Sequence, residues 1–251
     1  MLTDRAEEAA RLLCAARGGP PVPELPEGCR PQCDADAYQI QDAVIRRLGE
    51  AVGGWKVGAA SASTAAFCAP IFMKMIRPSP ASYSVVELRM IGIEAEIAFR
   101  IGRDLPARIT PYDRTEVSAA LVLHPVIEVV DSRYADPRTL DRSSILADNY
   151  CSGGLVYGAA VTDWQSLDLS RMTIIVTEDG ERFADSLGAI PRDPIGALLD
   201  FANLMRARDG VKADTFVTTG SWTGMVFTKR GAHIAADFGP LGRAEVVFPA
   251  D

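Results

Sequence analysis

Residues 91–100 alternate in polarity with a period of two, and no other segment of the chain limits its possible folds as strongly. One alternate set is apolar: Ile91, Ile93, Ala95, Ile97 and Phe99. The other set includes two carboxylates, Glu94 and Glu96. Because successive side chains of a strand point to opposite faces, this pattern predicts a β-strand with one face against a hydrophobic core.

The second face of this predicted strand places Glu94 and Glu96 side by side, because they are two residues apart. Side chains at that spacing lie roughly 6.5–7 Å apart. Two neighbouring carboxylates repel each other unless a cation or a shared proton lies between them. A divalent ion that prefers oxygen ligands would satisfy both. The alternative is a solvated face of an antiparallel sheet, on which charges are common.

A third carboxylate, Glu128, lies within the β-branched run 125–131. A charge inside a buried strand is costly unless it is paired or bound to a metal. The candidate partners are a metal shared with Glu94 and Glu96, or an arginine such as Arg100. The run ends in Asp131-Ser132-Arg133, for which we expect a local ion pair.

The remaining elements indicate an α+β fold, with helices first and many short, irregularly spaced strands behind them. Helices are predicted over 4–17, over 36–49, from Tyr112-Asp113 to 122, and from Asp193-Pro194 to 208. Strands are predicted over 155–161, 172–178, 181–184, 215–219, 231–236 and 241–248. We expect one catalytic domain over 1–251, with 1–52 a helical segment packed on the β core.

Three polar segments are candidate site elements. Lys56 lies between glycines in a predicted short strand. Asn149 belongs to a polar run that fits a substrate-facing loop or an ordinary capped turn. Gly220 and Ser221 follow the strand predicted over 215–219, and backbone amides in such a turn can bind a carboxylate.

Composition excludes several other classes of protein. A net charge of −7 argues against a general nucleic-acid surface. The apolar runs are too short for a bilayer span, and the first residues lack a secretory signal. The five cysteines form an odd, scattered set, which favours free thiols in a reducing cytoplasm.

Five motifs occur together in a recognisable order: GWKVG at 54–58, IEAEIA at 93–98, PVIEVVDSR at 125–133, ADN at 147–149 and TGS at 219–221. Together they resemble the fumarylacetoacetate hydrolase superfamily, in the branch of 2-keto-4-pentenoate hydratases and 4-oxalocrotonate decarboxylases. The resemblance runs from about residue 37 to the end of the chain.

The resemblance implies a mixed β-roll or sandwich core with N-terminal helices. It implies Mg²⁺ or Mn²⁺ held by Glu94, Glu96 and Glu128, with Lys56 and Ser152 as catalytic residues. Asn149, Gly220 and Ser221 are the expected substrate-binding residues. The family also implies a homo-oligomer, alone or in complex with a pathway enzyme. One departure is the absence of any acidic residue from 69–75.

The implied activity is that of a metal-dependent lyase on a small 2-oxo or 2-hydroxydienoic acid in aromatic catabolism. Hydration of 2-hydroxypenta-2,4-dienoate to 4-hydroxy-2-oxopentanoate is the first expectation, and decarboxylation of a 4-oxalocrotonate-type acid is the second. An acylpyruvate-type hydrolase ranks lower, because it would need a His–Glu pair and the chain has only His124 and His233. The missing acid in 69–75 favours a fourth alternative, a non-catalytic partner subunit or a binding module of the same fold.

Overall fold

The computed structural model describes residues 2–58, 67–84, 88–169, 172–187 and 193–250. Within these residues it has five α-helices: α1 (Leu2–Ala16), α2 (Asp34–Leu48), α3 (Arg114–Ser118), α4 (Arg142–Ala147) and α5 (Pro194–Met205). None of the described helices is both long and apolar enough to cross a bilayer.

The strands form two sheets. In chain order they are β1 (Val52–Gly58), β2 (Phe67–Phe72), β3 (Ile76–Pro78), β4 (Ala81–Ser82), β5 (Gly92–Ile101), β6 (Leu121–Val130), β7 (Ser152–Tyr157), β8 (Thr173–Glu178), β9 (Glu181–Leu187), β10 (Phe216–Thr218), β11 (Val226–Phe227), β12 (His233–Asp237) and β13 (Arg243–Val247). The larger sheet has the order β2-β1-β10-β5-β6-β7-β3, with β11 added to β5, and the smaller has the order β4-β13-β12-β8-β9.

The antiparallel pair β5–β6 is the centre of the larger sheet and confirms the strand predicted over 91–100. Ile93, Ile97 and Phe99 are fully buried in the main hydrophobic core. The opposite face is also covered, because Ala98 packs in a second, smaller cluster with Ile71 of β2, Val126, Leu155 of β7 and Phe216. Since β2 and β7 stand far apart in the strand order, their contact shows that the sheet curls into a roll, as the expected fold class requires.

The predicted helices are confirmed, but α3 and α5 end earlier than predicted, α5 at Met205 instead of 208. Asp193 caps α5 by accepting a hydrogen bond from the Ile195 backbone N–H, and Pro194 occupies its first turn. Asp113 caps α3 in a reciprocal capping box with Glu116. That helix ends at Ser118 instead of continuing to 122, because the chain from Leu121 onward already pairs as β6.

Candidate active site

Three carboxylates meet on the inner face of the roll. Glu94 and Glu96 lie on β5, and Glu128 of β6 stands directly opposite Glu94 in the antiparallel register. One carboxylate oxygen from each residue lies within 4.8 Å of the other two. Glu96 and Glu128 are buried, whereas Glu94 is half-buried and faces an open cleft. The structure therefore brings together the three acidic residues expected from the sequence.

Lys56 is the cation of this cluster. It reaches the carboxylates because β1 pairs with β10, and β10 pairs with β5. Its ammonium forms an ion pair with Glu128 Oε1 and donates a hydrogen bond of 3.0 Å to the Tyr150 carbonyl. Arg100, the alternative partner suggested by the sequence, instead pairs with Asp214 at 2.6 Å.

The electrostatics of the cluster follow from its burial. Burial, followed by the neighbouring carboxylates Glu128 and Glu94, raises the pKa of Glu96 well above its ordinary value. Burial also raises the pKa of Glu128 to about 7, although Lys56 opposes the rise. For Lys56, burial alone would lower the pKa, but the carboxylates of Glu128 and Glu94 outweigh it and raise the pKa. The lysine is therefore an ammonium at neutral pH.

This donor set fits a divalent cation. Three carboxylates face one ammonium, so two negative charges remain uncompensated when all four groups are ionised. Burying uncompensated charge is unfavourable, and hard divalent ions bind carboxylate oxygens. The half-buried Glu94 leaves the cluster accessible from the cleft.

The cleft beside the cluster has two compartments that share Lys56, Glu94 and Tyr150. The inner compartment has a volume of about 200 Å³ and is lined by Glu96, Phe67, Thr218, Gly220 and Ser221, among others. The outer compartment has a volume of about 240 Å³ and is largely apolar, with Met90, Val130, Ile145 and Met225 in its walls.

The turn after β10 supplies the polar wall of the inner compartment. The Gly220 backbone N–H donates a hydrogen bond of 3.1 Å to Glu96 Oε2, which fixes the orientation of that carboxylate. The Ser221 hydroxyl is buried and has no hydrogen-bond partner among the described residues. An unpaired buried hydroxyl is costly, so this group is available to a polar ligand.

The segment 149–152 turns sharply, and the residues that it places in the cleft are not those that the sequence predicts. Asn149, Tyr150 and Cys151 adopt left-handed backbone angles, with φ of 52°, 50° and 57°. Tyr150 and Cys151 line the cleft, whereas Ser152 lines a separate cavity. The Asn149 amide is buried and has no hydrogen-bond partner within the described part of the chain. Sequence reasoning missed Tyr150 and Cys151, since no periodicity shows which residues of such a turn face the cleft.

A buried ion pair anchors the start of this segment. Arg133 pairs with Asp148, and Asp148 Oδ2 also accepts hydrogen bonds from the Ser132 hydroxyl and the Arg133 backbone N–H. Asp131 Oδ1 accepts hydrogen bonds from the backbone N–H groups of Arg89 and Met90. The prediction of a local ion pair between Asp131 and Arg133 is therefore wrong, because each residue binds a more distant part of the chain.

Both histidines lie outside the cleft. His124 Nδ1 lies 2.9 Å from the Gly158 carbonyl oxygen in the buried sheet. His233 pairs with Glu245 at 2.8 Å on the smaller sheet. The described residues that line the cleft also include none from 69–75, the segment that lacks an acid; residues 59–66 lie outside the described part of the chain.

The chain is similar to known proteins over almost its whole length. A curated 2-keto-4-pentenoate hydratase from Burkholderia vietnamiensis is 30% identical over 258 residues, which cover 97% of each protein. A curated 4-oxalocrotonate decarboxylase from Pseudomonas putida is 28% identical over 231 residues, which cover 85% of each.

Among solved structures, the 4-oxalocrotonate decarboxylase from Pseudomonas putida G7, complexed with magnesium and adipate, has a TM-score of 0.82 at 24% identity. That match covers 98% of this chain and 97% of the other. No family model matches the chain.

The curled mixed sheet and the second sheet together form a fold of the fumarylacetoacetate hydrolase type. The chain belongs to the family of 2-keto-4-pentenoate hydratases and 4-oxalocrotonate decarboxylases.

Proposed function

We propose that this chain is a divalent-metal-dependent lyase of aromatic catabolism that hydrates 2-hydroxypenta-2,4-dienoate to 4-hydroxy-2-oxopentanoate. The observation that carries the proposal is the convergence of three carboxylates beside one ammonium in an open cleft. The hydratase relatives that cover nearly the full chain support the choice of reaction.

Glu94, Glu96 and Glu128 are the proposed ligands of Mg²⁺ or Mn²⁺. When bound, such an ion supplies Lewis acidity that stabilises negative charge on the 2-oxygen of a 2-oxo acid. Lys56 holds Glu128 in place, and the Gly220 backbone N–H holds Glu96. Two of the three ligands are therefore oriented by other groups of the chain, which favours a preorganised site.

The inner compartment is the proposed site for the polar head of the substrate. The unpaired Ser221 hydroxyl offers a donor for its carboxylate, and Gly220 lines the same compartment although its N–H already donates to Glu96. Asn149 is the third member of the proposed substrate-binding set; its buried amide is unpaired, but Asn149 is not among the residues that line either compartment. The apolar outer compartment, with Met90 and Met225, would receive the hydrocarbon tail and exclude water from it.

The hydration needs proton transfer at two carbons. The dienol first gains a proton at C5 and loses its hydroxyl proton, which gives the conjugated 2-oxo-3-enoate. Water then adds its oxygen to C4 and a proton to C3. Lys56 faces both compartments and carries a positive charge at neutral pH. It is therefore the proposed source of positive charge, or of a proton, near the substrate. Ser152, the other predicted catalytic residue, lines a separate cavity, and the proposal therefore places proton transfer on Lys56.

The test is a turnover assay with purified protein, Mg²⁺ and 2-hydroxypenta-2,4-dienoate, followed by the loss of ultraviolet absorbance. We expect turnover that disappears in EDTA and in the double variant Glu94→Gln/Glu96→Gln. Ile109→Ala is a matched control, because this almost fully exposed residue lies outside the cleft. Full activity of the double variant would contradict the proposal.

A decarboxylase is the second candidate, and one observation favours it. Arg138 lines the outer compartment and could face the second carboxylate of a 4-oxalocrotonate-type acid. Its guanidinium is already paired with Asp136, with Nε at 2.8 Å from Oδ1 and Nη2 at 3.0 Å from Oδ2. Turnover of 2-oxo-3-hexenedioate that falls in Arg138→Met, with no hydration of the pentadienoate, would select this candidate.

The cytoplasmic location, the homo-oligomer and the association with a pathway enzyme remain parts of this proposal. Size-exclusion chromatography with light scattering of the purified chain tests the homo-oligomer, and a single monomeric species would contradict it.

A further inference from the structure

A second cavity of about 210 Å³ lies apart from the carboxylate cleft. Its walls carry three cationic side chains, Arg17, Lys74 and Arg133, together with Asp131 and Ser152. The two sites are close along the chain, since Cys151 lines the cleft and Ser152 lines this cavity. No carboxylate of the metal-ligand set reaches the second cavity.

Arg17 is the side chain that this cavity leaves without an acceptor. Its Nε atom is buried and has no hydrogen-bond partner, and the described residues offer it no ion pair. Its one close partner is the ring of Phe72, whose centroid lies 5.0 Å from the guanidinium carbon. Burial, with a smaller contribution from Arg133, lowers the pKa of Arg17 to about 10. Asp148 and Glu50 oppose this shift, but neither forms an ion pair with Arg17 among the described residues.

The other charged groups of the cavity are already engaged. Arg133 pairs with Asp148 and donates a hydrogen bond of 2.8 Å to the Ser152 carbonyl. Lys74 forms an ion pair with Glu50 at the surface. Asp131, the only carboxylate in the cavity lining, accepts two hydrogen bonds from backbone N–H groups. None of these contacts neutralises Arg17.

We propose that the second cavity binds a small oxyanion, a carboxylate or a phosphate, held by the Arg17 guanidinium and the Ser152 hydroxyl. Such a ligand supplies an acceptor for the buried Nε of the half-buried Arg17, and a guanidinium binds both kinds of anion in a forked geometry. Lys74 and Arg133 are already paired, so the charge that attracts the anion is that of Arg17. This site does not depend on the metal or on the proposed reaction.

The experiment measures anion binding to the full chain in EDTA, so that any metal-dependent binding in the cleft is absent. The probes are sodium phosphate and sodium acetate, titrated by calorimetry with sodium chloride at matched ionic strength. We expect one of them to bind to the wild-type chain, and the tighter probe identifies the type of anion. Arg17→Met should weaken that binding at least tenfold, because a charge-assisted hydrogen bond is lost.

Three variants make the result specific. Arg11→Met removes the same charge from α1, the helix that ends just before Arg17, but Arg11 is exposed and pairs with Glu8, so this variant should bind as the wild type does. Glu96→Gln alters the cleft and should also bind normally. Ser152→Ala should weaken binding about threefold or more while leaving the buried Arg133–Asp148 pair intact. It tests the site without touching Arg17.

The stability of Arg17→Met in anion-free buffer shows whether Arg17 serves to bind an anion or to stabilise the fold. Since Arg17 is desolvated without an acceptor, Arg17→Met should unfold at the same urea concentration as the wild type or a higher one in anion-free buffer. Only the wild type should then gain stability from the probe. Three results would overturn the proposal. They are wild-type affinity in both Arg17→Met and Ser152→Ala, loss of binding in Glu96→Gln, and no binding of either probe to the wild type.

Discussion

Replacement of Lys56 by methionine removes the cation that forms an ion pair with Glu128, and the resulting loss of unfolding free energy can be worked from the burial of this pair. The Lys56 side chain is 10% exposed and that of Glu128 is 0% exposed. Breaking a buried ion pair by removing one partner costs about 3–5 kcal/mol, because the other charge stays buried. We expect that loss in metal-free Lys56→Met at pH 8. As the pH falls, one buried carboxylate of the variant takes up a proton. The loss of unfolding free energy should then decrease by about 1.4 kcal/mol for each pH unit.

The assay is urea unfolding in EDTA of the wild type, Lys56→Met, Glu128→Gln and the double variant. If the two single losses simply added, the double variant would have a certain free energy of unfolding. We expect the measured value to be higher than that by at least about 2 kcal/mol, because neither charge remains to be buried unpaired. The control cycle uses Arg100→Met and Asp214→Asn, an exposed pair between β5 and the turn before β10 that should couple by about 1 kcal/mol or less. If the losses of unfolding free energy in Lys56→Met and Glu128→Gln add up to that of the double variant within about 0.5 kcal/mol, the reasoning is refuted.

One further prediction concerns the carboxylate cluster, and a second concerns the packing of β7 against Tyr83. Because burial raises the pKa of Glu128 from 4.5 to about 7, the folded metal-free protein binds more protons than the unfolded chain in this window. Relative to Glu128→Gln, its stability should therefore fall by about 3 kcal/mol as pH rises from 4.5 to 7. Urea unfolding across this range measures the difference, and a flat or rising difference contradicts the predicted direction. Gly154→Ala should cost about 1–3 kcal/mol, because its Cβ would lie 2.6 Å from the buried Tyr83 hydroxyl. Gly28→Ala, with open space around it, is the control, and equal thermal stability of the two variants would contradict the clash.

The central strand pair could be predicted from sequence because its signal is local. Alternation over 91–100 predicts the buried face, and the spacing of Glu94 and Glu96 places both on the other face. The motif order then predicted that Glu128 would join them, and the register of β5 with β6 gives the physical reason.

The partners of the buried charges could not be predicted in the same way. Lys56 reaches Glu128 across the two intervening strands β10 and β5, and Arg133 reaches Asp148 at the end of α4. Both contacts depend on how separate elements meet in space, which no spacing along the chain records. The cleft-facing position of Tyr150 likewise depends on three consecutive left-handed residues that include no glycine.

The most direct test of the metal site is a crystal structure of the chain grown with Mn²⁺, with anomalous diffraction data. We expect one strong anomalous peak among the carboxylate oxygens of Glu94, Glu96 and Glu128, at ordinary metal–oxygen distances of roughly 2.0–2.3 Å. No peak at that position, or Mn²⁺ bound elsewhere with the three carboxylates unligated, would contradict the proposed metal site.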